Sequence, residues 1–134
     1  MQLSEYKLLP DYIEPAEVEK YCFLILQESA LETVAQTLEK LNEMSDRQWH
    51  TYQLPPRELQ DELKKWLIQN WTSNSSEYLE SIMGLSYCFG LDKEFFSKAL
   101  AYYEGRFKNG FRRDLDNSVG EFIDPWWSMK AAKP

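Results

Sequence analysis

Four carboxylates, Glu28, Glu32, Glu39 and Glu43, recur at spacings of four and seven residues. Projected at about 100° per residue, they fall within a sector of roughly 60° on one side of a helix. A row of this kind can steer and grip a positively charged partner. It can equally be a solvated outer face. Like charges four apart on a helix cost a few tenths of a kcal/mol per pair. Only Lys40 lies within the same helical stretch to offset them. Glu5, Asp11, Glu14, Glu17 and Glu19 can extend the same field. Metal chemistry is a poor fit. Carboxylate-bridged di-iron bundles need Glu-x-x-His pairs on facing helices. The single histidine is His50, and the residue three positions before it is Arg47. An Asp-x-Asp-x-Asp-Gly calcium loop is also missing. No metal or cofactor is expected.

A second constellation is Arg106, Phe107, Lys108, Phe111, Arg112 and Arg113. Cations interleaved with aromatics can bind phosphates and stack bases. They can also complement a helix C-terminus, and Asp114 and Asp116 follow at once. Arg106, Lys108, Arg112 and Arg113 can instead pair with carboxylates of the same molecule or of a second copy. His50 would need a hydroxyl, thiol or acid brought close in space to act as a base. No Gly-x-Ser-x-Gly elbow exists, and Gly105 and Gly110 lack a phosphate-loop context. Catalysis is therefore not expected. Trp49 and Tyr52, beside His50, are candidate interface anchors. Trp126 and Trp127 can clamp the chain's end over the core or act as a recognition element.

The charge is uneven along the chain. Residues 1–46 carry ten acidic and three basic side chains, whereas residues 47–134 balance at twelve of each. The pI of about 4.8 argues against general binding to nucleic acid or anionic membrane, which both reward lysine and arginine. Cys22 and Cys88 stand inside apolar stretches and read as buried free thiols. Two Asn-x-Ser/Thr triplets, Asn70-Trp71-Thr72 and Asn74-Ser75-Ser76, read as chance. No signal-like segment opens the sequence, and the longest apolar run, Tyr21 to Leu26, is too short to cross a bilayer. A cytoplasmic setting is expected.

The elements that must position these residues are helices. Residues 1–14 read as an extended arm with room for one turn. Pro15 suits a first helical position, and Val18, Tyr21, Cys22, Ile25 and Leu26 recur at helical spacing over 15–28. A buried strand at 21–26 is the alternative. Ser29-Ala30-Leu31-Glu32 has the form of a capping box and predicts a break, because the stripe Leu31, Val34, Leu38, Leu41 points nearly opposite to the preceding one. A second helix is expected over 30–44. Ser45-Asp46-Arg47-Gln48 reads as another box opening a short turn. Pro55-Pro56 predicts a third helix with Leu59, Leu63, Trp66, Leu67 and Trp71 inward and an Asp61–Lys65 pair outside. Asn74 with Glu77 predicts a fourth, carrying Tyr78, Leu79, Ile82, Met83 and Leu85 and stopping at Gly90. Asp92 predicts a fifth, with Phe96, Ala99, Leu100, Tyr103 and Phe107. Residues 111–134 read as a less regular tail packed on the body.

The expectation is one compact all-α domain, 1–134, of five or six helices with an irregular C-terminal segment. Its expected role is interaction rather than catalysis. The most concrete form is a small acidic inhibitor, immunity- or antitoxin-like, that docks Glu28, Glu32, Glu39 and Glu43 on a basic partner such as a nuclease, with Trp49 and Tyr52 as anchors. Direct binding to nucleic acid or membrane is not expected. The alternative is a homo-oligomeric structural or adaptor domain, in which the acidic third of one copy meets the 106–113 segment of another.

Overall fold

A computed structural model describes residues 1–70 and 79–91. The described residues form five α-helices, with no strand among them: α1 Leu3–Lys7, α2 Pro15–Glu28, α3 Val34–Thr51, α4 Arg57–Gln69 and α5 Leu79–Cys88. The apolar run Tyr21 to Leu26 lies wholly inside α2, which removes the strand alternative. The expected arm at 1–14 is helical over Leu3–Lys7, and Tyr6 of that turn is completely buried.

The break after α2 exists, but its chemistry differs from the expected box. Ser29 opens a single 3₁₀ turn, Ser29–Leu31, and its hydroxyl donates back to the Leu26 carbonyl at 2.6 Å. It closes α2 instead of opening α3. Glu32 is extended, with its carboxylate held by Lys40, so it cannot reach back to an amide. The reciprocal cap forms one turn later. Thr33 N–H donates to Gln36 Oε1 at 2.9 Å, and Gln36 N–H donates to Thr33 Oγ1 at 3.1 Å. This is the capping-box exchange with glutamine as the reaching residue. Leu31, expected in the inward stripe, is 90% exposed on the 3₁₀ turn.

α3 runs well beyond the expected end at 44. Ser45 and Gln48 sit inside it and are buried, so they cap nothing. No glycine or proline interrupts Val34 to Thr51, and the inward stripe Leu38, Leu41, Met44, Gln48, Thr51 keeps its period. The helix stops at Tyr52, which adopts the left-handed conformation with φ of 55°. Gln48 Nε2 donates to the Gln53 carbonyl at 2.6 Å and secures the exit.

Pro55 and Pro56 precede α4 as expected, and Leu59, Leu63, Trp66 and Leu67 are buried. The surface pair is Asp61 with Lys64 at 3.4 Å, three residues apart, and not Asp61 with Lys65. In α5, Ile82 and Leu85 are buried. Gly90 ends it with φ of 65°. Gly90 N–H reaches the Tyr87 carbonyl at 3.3 Å, and Leu91 N–H reaches Ser86 at 2.9 Å. This is the Schellman pattern, in which glycine takes the left-handed position and the next apolar residue, here buried Leu91, packs back. Trp71, Tyr78, the Asn74–Glu77 cap, the expected fifth helix and the tail 111–134 lie outside the described residues.

The helices share one apolar core. α3 packs against α1, α2 and α5, and α2 also meets α4. α3 is therefore the central element, and its polar side chains Thr37, Lys40, Ser45, Arg47, Gln48 and Thr51 are buried along with its leucines. No helix among the described residues is long and apolar enough to cross a membrane.

Candidate interaction surface

The central position of α3 decides the fate of its carboxylates. Of the four glutamates, only Glu39 and Glu43 lie on α3; Glu28 ends α2 and Glu32 sits in the extended link between the two helices, so the four do not share one helix face. α1 and the chain that follows it also pack against α3. A carboxylate drawn toward low dielectric needs a cation and hydrogen bonds. Lys40, with its side chain 6% exposed, supplies the first cation. Its ammonium pairs with Glu32 and lies 3.8 Å from Glu28. Glu28 also accepts from the Met1 amine at 3.3 Å.

Arg47 supplies the second cation. Its guanidinium donates to the Leu9 carbonyl at 2.6 Å, the Pro10 carbonyl at 3.1 Å, and both the carbonyl and the carboxylate of Glu43 at 3.2 Å. The planar fork of arginine suits this divergent set of acceptors. One side chain thus fixes the 8–10 segment to α3 and neutralises Glu43 on the way.

Of the four expected docking carboxylates, three are committed inside the molecule. This corrects the picture of a single open acidic row. Glu39 alone remains exposed with no ion pair among the described residues; it borders a cleft of about 190 Å³ lined by Gln2, Leu3, Glu32, Gln36 and Lys40. The expected anchors divide as well. Trp49 stacks on Tyr87 of α5, with ring centroids 5.7 Å apart and planes at 28°, so much of its ring is spent on packing. Tyr52 is half-exposed at the end of α3. Arg106, Lys108, Arg112 and Arg113 lie outside the described residues.

The buried ends of this charge system affect other groups. Among the described residues the Tyr6 hydroxyl has no hydrogen-bond partner, and neither has Glu32 Oε2 or Thr37 Oγ1. Burial, and then the nearby Glu28 carboxylate, push the Tyr6 phenol well above its ordinary value. Its ring packs edge-on against Tyr21 at 5.8 Å. Both cysteines are free. Burial raises the Cys22 thiol strongly, with Glu19 adding to it. Burial also raises Cys88, against a lowering hydrogen bond from Ser45. Neither thiol is poised as a thiolate nucleophile. His50 Nδ1 donates to the Asp46 carbonyl of its own helix at 2.8 Å. Among the described residues no group of three or more histidine, cysteine or acidic side chains could hold a metal ion.

What stays open to solvent lies earlier in the chain than the glutamate row. Glu5, Asp11, Glu14 and Glu17 are exposed and have no ion pair among the described residues. Sequence reasoning counted them only as an extension of the α3 face. It also passed over Leu8 and Tyr12, which are 85% and 51% exposed between these acids. Their signal was present: apolar residues out of phase with Tyr6, Leu9 and Ile13, the positions that turn inward. Comparison with protein-family models, with curated proteins and with solved structures found no match for this chain.

Proposed function

We propose that the chain is an acidic protein-binding module, a small inhibitor of the immunity or antitoxin kind that covers the basic cleft of a partner such as a nuclease. The reading rests on the surplus of carboxylates that have no ion pair among the described residues. Glu5, Asp11, Glu14, Glu17 and Glu39 face solvent in a stretch whose exposed cations are Lys7 and Lys20. Such an excess generates an outward field that accelerates encounter with a positive groove. Glu28, Glu32 and Glu43 contribute to the scaffold in this reading, and Tyr52 is half-exposed at the rim.

The test is capture from lysate of the source cell by three forms of the protein. One is the native chain. One has Glu5, Asp11, Glu14, Glu17 and Glu39 changed to lysine. The third carries the same change at exposed Glu58 and Glu62 of α4 as a charge control. The native chain and the control should retain basic proteins that high salt releases, and a captured nuclease should lose cleavage activity when the module is added. Identical sets of proteins on the native and the five-site forms would end the proposal.

A further inference from the structure

The segment between α1 and α2 presents more than charge. Its backbone is fixed to α3 by Arg47, which binds the carbonyls of Leu9 and Pro10. Tyr6, Leu9 and Ile13 turn inward and pack on the core. The residues between them turn out, as Leu8, Asp11 and Tyr12 do, and Glu14 just beyond is exposed as well. Single exposed apolar side chains on a surface need no explanation. Here two stand four positions apart on a segment whose shape is already set, with carboxylates before, between and after them that have no ion pair among the described residues. An apolar centre with a charged rim is the anatomy of a recognition surface, and an ordered backbone lowers the entropy lost on binding. Leu31 offers the contrast. It is as exposed as Leu8, but the carboxylate beside it, Glu32, is occupied by Lys40.

We infer that Leu8 and Tyr12 are the anchors by which the module engages its partner, and that the partner offers an apolar pocket ringed by lysine or arginine. The occupant follows from complementarity. A second copy of this acidic segment would meet its own charge, whereas a cationic rim would satisfy Glu5, Asp11, Glu14 and Glu17 together. The inference rests on the binding-module reading and adds the residues that carry it.

The experiment uses the full chain in its own cells with a photoreactive benzoyl-phenylalanine replacing Tyr12, or replacing Leu31 as the comparison site. Cross-linked proteins are identified by mass spectrometry, and the captured protein is then purified and titrated against the native chain and the Leu8→Ser/Tyr12→Ser variant. Both changed side chains are solvent-exposed, so the variant should fold, and a native circular-dichroism melt checks this. The expected result is a cross-link from position 12 and not from 31, to a protein of basic pI, with affinity reduced about tenfold or more in the variant. No cross-link from position 12, or equal yields from 12 and 31, overturns the inference. A basic partner that senses charge reversal but not the Leu8/Tyr12 change overturns the anchors and leaves the acidic module standing. A partner of acidic or neutral surface overturns both.

Discussion

The glutamates around α3 and the carboxylates between residues 5 and 17 are the same chemistry under opposite conditions. Around α3, Glu28, Glu32 and Glu43 lie where neighbouring elements crowd the backbone, and each is met by a cation from the central helix. Between residues 5 and 17 the chain lies on the outside, and Glu5, Asp11, Glu14 and Glu17 have no such partner among the described residues. Acidic composition is therefore not acidic surface. The number of carboxylates in a segment sets the possible field, and the burial of the helix beneath them sets how much of it reaches water. Removing one member of a buried ion pair costs far more than removing an exposed charge, so the two regions should respond to mutation on different scales.

The sharpest way to break the comparison is Arg47→Met. It strands the Glu43 carboxylate and the carbonyls of Leu9 and Pro10, and should cost about 3–5 kcal/mol. Asp11→Asn, in the open segment, should stay within about 0.5 kcal/mol. Urea unfolding followed by tryptophan fluorescence measures both, and equal losses would erase the distinction between the regions. Next in size is Lys40→Met, at about 2–4 kcal/mol, because it leaves Glu32 and Glu28 without their shared ammonium. Adding Glu32→Gln should recover part of that loss, a non-additivity that a double-mutant cycle reads directly. Persistent additivity would mean the ion pair contributes nothing.

Smaller still is the helix start. Thr33→Ala should cost about 1 kcal/mol as a lost N-cap, with Ser29→Ala well below it. The reverse order would put the cap where the sequence pattern first suggests it. The last effect concerns pH. The Cys22 thiol and Tyr6 phenol are both raised in the fold, so the unfolded chain releases those protons first. Stability is complete below the ordinary thiol value of 9.0 and declines as pH climbs past it and past the ordinary phenol value of 10.0. Tyr6→Phe should flatten the upper part of that decline, seen as a smaller fall in melting temperature between pH 9 and pH 11. A parallel fall in both proteins would remove Tyr6 from the account.

Much of the helical framework could be read from residue order. Pro15, the paired prolines before α4, the inward leucines of α4 and the stop at Gly90 each act through a local rule, and local rules survive into the fold. The boundary of α3 did not follow, because Ser45-Asp46-Arg47-Gln48 satisfies a capping pattern while the apolar period runs straight through it. Ser45 is buried beside Cys88 of α5, Gln48 turns to the Gln53 carbonyl at the helix exit, and the period won. The charge assignments were harder. Glu43 and Arg47 stand four apart, so their meeting could be anticipated. Lys40 with Glu28 could not, since a 3₁₀ turn and an extended residue lie between them and set their approach. Nor does any local rule say that residues 8–10 will cross α3, which is what turns Arg47 from a surface cation into an interior one.

Residue 52 carries an implication for engineering. A tyrosine held at positive φ strains the main chain by about 1–2 kcal/mol relative to glycine. Glycine there would relax the corner, while deleting the half-covered ring and adding freedom to the unfolded chain. The half-covered ring at this corner stands against that strain, and the shift in melting temperature of Tyr52→Gly measures the balance between the two.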